Sequence, residues 1–197
     1  MTHFTILEGL RRRVRADRVF VDAWPIGPGS PTRLAEQRAN LAGMRLSARV
    51  DYALRAAAEL AATASGPGRG RPVTADQLAR AQEIPPKFLE SILLQLRRGG
   101  IVHAQRGPEG GYWLARPAEE ISLADVIRVI DGPLAHVRGQ RPEQLGYHGP
   151  ARALQEVWIA LRASEREILE LVSVADVAAG TLPERVTELV ADPRAWI

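Results

Sequence analysis

The chain has 197 residues, enough for one large or two small domains, and its 46% hydrophobic and 25% charged content is ordinary for a globular protein. It contains no cysteine, which excludes disulfides, zinc–thiolate sites, conventional iron–sulfur ligation and a cysteine nucleophile, and which fits a cytoplasmic protein. The net charge of +3 conceals a division: residues 1–43 hold 7 basic and 4 acidic side chains, 44–117 hold 11 and 6, and 118–197 hold 8 and 13. A basic block joined to an acidic one fits a nucleic-acid-binding half attached to a half with another task, although a chance fluctuation fits the charges equally well.

Residues 1–43 lack sustained periodicity. Leu7, Leu10 and Val14 among Arg11, Arg12, Arg13 and Arg15 suggest one short basic helix, and Pro25-Ile-Gly-Pro-Gly-Ser-Pro31 reads as linker. This leader is either a basic arm for DNA or translated sequence upstream of a true start at Met44; the second is the favoured expectation. Arginines and Asp17 interrupt its apolar stretches, so it is not read as a secretory signal. No apolar run reaches the ~18 residues of a membrane span, and no membrane partner is expected.

From Met44 the pattern tightens. Ala48, Tyr52, Ala53, Ala56 and Leu60 recur at helical spacing behind Ser47, a cap, and the helix is expected to end before Ser65-Gly-Pro-Gly. Thr74-Ala-Asp-Gln77 is a capping box for a short helix over about 74–81, with Val73 and Leu78 as its hydrophobic staple. Pro85-Pro86 opens a third helix and Gly99-Gly100 closes it. Its apolar stripe is Phe88, Leu89, Ile92, Leu93 and Leu96; Lys87, Glu90, Ser91 and Arg98 lie opposite. Ile101–Gln105 and Tyr112–Ala115 read as strands about a glycine-rich loop beginning at Arg106. Three helices followed by a hairpin with a basic tip is the winged helix-turn-helix order.

Beyond Pro117, Ser122-Leu-Ala-Asp125 caps a helix carrying Leu123, Val126, Ile127 and Ile130, and Asp131-Gly-Pro133 stops it. Residues 133–150 are irregular. A long helix is expected over about 151–172, with Leu154, Trp158, Leu161, Ile168 and Val172 along a seam that Glu165 interrupts. Such a seam either pairs two copies of the chain or packs on its own domain. The fold class expected is mainly α with a small β-hairpin: a leader (1–43), a winged helix-turn-helix domain (44–117), and a dimerisation and sensing region (118–197).

Met44-Arg-Leu-Ser47, Asp51-Tyr-Ala-Leu54, Ile84-Pro-Pro-Lys-Phe-Leu-Glu90, Leu96-Arg-Arg-Gly-Gly-Ile-Val102, Arg106-Gly-Pro-Glu-Gly-Gly-Tyr112 and Ile121-Ser-Leu-Ala-Asp-Val126 stand in colinear order. With them, residues 44–197 resemble the Rrf2 (IscR/NsrR/CymR-like) family of dimeric winged helix-turn-helix transcription regulators. Many members hold an iron–sulfur cluster through three cysteines between the short helix and the long one. Residues 133–150 contain none, so Asp51, at the position of a further ligand in some members, has nothing to complete. His136 and His148 alone make a poor metal site. The resemblance therefore implies a cluster-free member with no cofactor.

In this fold the third helix enters the major groove and the wing reaches the minor groove. Lys87 and Ser91 would meet base edges, and Glu90 would accept from a cytosine amino group or else pair with a nearby arginine. Arg106 at the wing tip suits a narrow minor groove. Arg45, Arg49, Arg97 and Arg98 read as phosphate contacts or solvated charges. The glycine loop lacks the Gly-Lys-Ser/Thr ending of a Walker motif and the βαβ setting of a dinucleotide site, and no nucleophile elbow or acid–base pair is present. An enzyme is not expected. The leading expectation is a homodimeric repressor on a near-palindromic operator, answering to a small-molecule or protein effector. The alternative is a regulator that has lost DNA binding and docks a partner enzyme through its acidic half.

Overall fold

The structure is a computed structural model that describes residues 46–63, 71–134 and 136–196. The expectations for the leader, and the phosphate contact assigned to Arg45, lie outside the described residues. The described residues form one compact unit.

Local capping chemistry sets the helix starts. The first helix, α1, spans Ala48–Ala62, and the Ser47 side chain accepts the Val50 amide at its start. In α2 (Ala75–Ala81) the Thr74 hydroxyl accepts the Gln77 amide while the Gln77 side chain returns to the Thr74 amide. These are two of the donors that a helix start otherwise leaves unpaired. Helix α3 (Pro86–Arg98) begins on Pro85-Pro86 and ends at Gly99. After Gly100 the chain runs into β1 (Val102–Gln105), which pairs antiparallel with β2 (Gly111–Leu114), Val102 facing Leu114 and Gln105 facing Gly111. Helix α4 (Leu123–Ile130) carries the Ser122/Asp125 capping box. Then follow α5 (Leu154–Leu171), α6 (Val174–Ala179) and α7 (Glu184–Ala191).

The core lies where α1 meets α3. Ala53, Ala56, Ala57 and Leu60 of α1 gather with Leu78, Ile84, Leu89, Ile92, Leu93, Leu96, Ile101 and Val102. The alanines let the two helices approach closely, and each buried leucine removes ~1.5–3 kcal/mol of apolar surface from water. Val126 and Val174, from beyond residue 117, join this cluster. A smaller group of Val50, Ala124, Ile127 and Leu134 sits beside it, with Leu169 of α5 against it.

Two readings of the sequence need correction. Phe88 is not part of the buried stripe: it is 55% exposed, because it lies in the first turn of α3 at the edge of the core and meets the ring of Tyr52 at 6.5 Å. Val172 is not on an exposed seam. The helix stops at Leu171, and Val172 turns into an extended conformation with its carbonyl accepting the Leu123 amide at 3.0 Å. Its side chain is 3% exposed within its own chain.

The hairpin is docked by main chain. Val73 exchanges two hydrogen bonds with Tyr112, at 2.9 and 2.8 Å. This crossing needs a glycine beside it: a Cβ at Gly111 would come within 2.9 Å of the Val73 backbone, which has no side-chain freedom with which to retreat. Gly111→Ala is expected to lower stability by ~1–3 kcal/mol through overpacking, read as a lower urea midpoint with unchanged helix content before the transition. An unchanged midpoint would show that the wing is not anchored at this crossing.

Candidate nucleic-acid interface

Packing fixes which face of α3 remains free. With Leu89, Ile92, Leu93 and Leu96 buried, Lys87, Glu90, Ser91, Leu94, Arg97 and Arg98 are turned outward and exposed. None of the charged side chains in this set has a hydrogen-bond or ion-pair partner among the described residues. The reading of Glu90 as one half of a surface ion pair is therefore not realised here. The Ser91 hydroxyl donates to the Phe88 carbonyl at 2.8 Å. Its proton is thus committed to the helix, and lone pairs face outward.

Arg49 of α1 flanks the same helix, its guanidinium donating to the Gln95 side chain at 2.7 Å and keeping further donors exposed. Arg106 stands exposed where β1 leaves the sheet. The turn after it is closed by the Gly110 amide on the Gly107 carbonyl at 2.9 Å, and Gly107 takes φ +114, a conformation that L side chains rarely adopt. In β1 and β2, His103 stacks at a tilt on Trp113, which is buried. Tyr52 is half-buried, with Arg55 over its ring at 5.6 Å; it is a packing residue.

Around α5 several arginines are paired instead, whereas Arg138, Arg141 and Arg152 stand exposed without a side-chain hydrogen bond or salt bridge among the described residues. Arg116 reaches Asp125, Arg128 reaches Asp125 and Glu170, Arg162 reaches Glu143, and Arg185 reaches Glu167. These pairs fasten α5 to α4, to the irregular segment and to α7. That segment is further held by the Gln155 side chain donating to the Pro142 and Glu143 carbonyls, and by the Trp158 indole donating to the Tyr147 hydroxyl at 3.0 Å. Glu143 is held below the usual carboxylate range, first by a backbone hydrogen bond and then by Arg162.

Helix α5 buries none of its residues fully. Leu154, Val157 and Leu161 are exposed, Leu161 at 55%, while Trp158, Glu165 and Ile168 are half-buried. Exposed apolar side chains continue at Leu171, Val177, Leu182, Val190 and Trp196.

Asp51 is paired with Arg55 at 3.3 Å, and His136 and His148 are exposed. No three His, Cys, Asp or Glu side chains gather as metal ligands among the described residues. No described helix is long and apolar enough to cross a membrane.

Residues 46–180 match the family model named Rrf2, described as an iron-dependent transcriptional regulator. The chain belongs to the Rrf2 family. It is 55% identical over 152 residues to an HTH-type regulator of Mycobacterium tuberculosis strain H37Rv, covering 77% of this chain and 92% of that one. It is 31% identical over 138 residues to the HTH-type transcriptional regulator CymR of Bacillus subtilis strain 168, covering 70% and 92%. The structure of B. subtilis CymR, titled the global cysteine regulator of that organism, superposes with a TM-score of 0.58 over 70% of this chain and 98% of that one. The IscR of T. potens, 26% identical, gives 0.53 over 79% and 93%. The chain is thus an Rrf2-family transcriptional regulator with the winged-helix fold, from a family of regulators rather than enzymes. An iron–sulfur cluster does not fit these residues: without a single cysteine, its thiolate donors are missing.

The half-buried carboxyl of Glu165 gives a test of α5. Partial burial pushes Glu165 above the usual carboxylate range. Its charge is therefore disfavoured in the fold, a penalty complete above the raised folded pKa and absent below the unfolded value of 4.5. Glu165→Gln is expected to raise the urea midpoint at pH 7, with the gain shrinking as pH falls toward that value. A gain independent of pH would remove the charge as its cause.

Proposed function

We propose that the chain is a sequence-specific, homodimeric DNA-binding repressor acting on a near-palindromic operator. The observation that carries this reading is the outer face of α3 with the adjoining wing. Lys87, Glu90, Arg98 and Arg106 stand exposed and without partners among the described residues, in a fold that neutralises many arginines elsewhere. On this reading α3 lies in the major groove. Lys87 donates to guanine acceptors, and Glu90 and the lone pairs of Ser91 accept from cytosine or adenine amino groups. Arg106 enters the flanking minor groove, where a narrow width concentrates negative potential. Arg49, Arg97 and Arg98 hold phosphates. Arg45 has the same role, and residues 44–117 are the DNA-binding part.

The second half of the proposal concerns residues 118–197, as the dimerisation and sensing part. Leu154, Trp158, Leu161 and Ile168 of α5 form the dimer seam, and the absence of any fully buried residue in that helix supports it. A two-fold protein reads two half-sites related by the same symmetry, which is why the operator is near-palindromic. A small-molecule or protein effector then acts on the 133–150 segment or on the seam. Repression follows from occupying the operator.

Three variants test these halves. Arg106→Ala is expected to weaken specific binding by about 1–3 kcal/mol, measured on a duplex selected from random sequence. Arg98→Ala is expected to weaken specific and random duplexes alike and to reduce the salt slope by about 1. Unchanged affinity on losing Arg106 would remove the wing from the interface. Leu161→Glu is expected to sediment as a monomer and to lose affinity for the paired half-sites. A Leu161→Glu protein that remains dimeric would exclude the α5 seam.

A further inference from the structure

The outer face of α3 holds one side chain that its polar neighbours do not explain. Lys87, Ser91, Leu94 and Arg98 stand at successive helical spacings and form one stripe along α3. Leu94 lies on that stripe between Ser91 and Arg98, one turn beyond Glu90, and it is 44% exposed. The other leucines and the isoleucine of α3 are buried, so Leu94 is the one apolar side chain beyond the first turn of α3 that stays outside. Its surroundings on the stripe are a hydroxyl and a cation, which suit a polyanion better than an apolar protein surface. Thymine's C5-methyl is the apolar feature that a base pair presents in the major groove.

Resting on the DNA-binding reading above, we propose that Leu94 is a specificity-determining residue that packs on the methyl group of one thymine in each half-site. The thymine lies next to the base pair that Glu90 and Ser91 address, because Leu94 follows those residues by one turn of the same helix. A leucine supplies no donor or acceptor. Its discrimination is therefore against bases lacking the methyl, and it acts independently of the hydrogen bonds made by Lys87 and Glu90.

The test uses the full chain and a Leu94→Ala variant, with a duplex selected by the wild type from random sequence. Each thymine is replaced in turn by deoxyuridine, which removes the methyl and leaves base pairing intact. Wild type is expected to lose about fourfold in affinity at one thymine of each half-site, the change that corresponds to ~0.8 kcal/mol for one buried methyl. Leu94→Ala is expected to bind the parent duplex more weakly by a similar factor and to be indifferent to deoxyuridine at that position. Alanine at an exposed helical position keeps the helix, and a thermal melt checks this. The inference is overturned if no deoxyuridine weakens wild type, or if the loss persists undiminished in Leu94→Ala. Either result, with wild-type binding intact, removes Leu94 alone; a wild type that selects no duplex removes the DNA-binding reading and this inference with it.

Discussion

The rotation of α3 about its own axis is the constraint on which the rest of the molecule depends. Leu89, Ile92, Leu93 and Leu96 are drawn into the core against Ala53, Ala56, Ala57 and Leu60 of α1. A turn of the helix by one residue, about 100°, would expose part of this set and bury charge in its place. The small side chains of α1 permit the close approach that makes the burial complete. Everything that the opposite face presents follows from it: the alternation of Lys87, Glu90, Ser91, Leu94 and Arg98 is outward because the leucines are inward. The wing inherits this placement, since the Ile101 amide donates to the Leu96 carbonyl at 2.9 Å and Val73 pins β2.

Electrostatics separates α5 from α3 and the wing. Around α5 several arginines are held by carboxylates, and Arg166 and Arg128 together keep Glu170 ionised below its ordinary range. Those exposed pairs contribute little individually, yet as a set they give the long helix a fixed seat against α4 and the irregular segment. On α3 and the wing the charges are left to solvent, where their field reaches about a Debye length. With no cysteine in the chain, conventional iron–sulfur ligation is not available, and the 133–150 segment is held by Gln155, Arg162 and Trp158.

Much of this was readable from the residues because the signals are local. The caps at Ser47, Thr74 and Ser122, the proline start and glycine end of α3, and the two strands all follow from contacts within a few positions. A third capping box, Ser173 with Asp176, carries the same signature and starts α6. Periodicity gives the direction of a buried face but not its width: the spacing puts Phe88 on that face, while the core ends one residue short of it. Val172 depended on a non-local event. Residues 121–123 and 172–174 exchange main-chain hydrogen bonds, with Val174 donating to Ile121 at 2.8 Å, and no spacing along the chain announces that meeting. Leu94 falls outside the apolar stripe by its spacing, three residues after Ser91 and four before Arg98, and the packing then leaves it exposed.

The central claim is that the face of α3 left outside by the core, together with the wing, is the surface that DNA covers. Amide chemical-shift mapping of the full chain against a duplex selected from random sequence tests this most directly. The account predicts perturbations concentrated at residues 87–98 and 106–110, with α7 and the chain's C-terminal turn unchanged. Perturbations confined to α5 and α7, with the α3 amides unmoved, would contradict it.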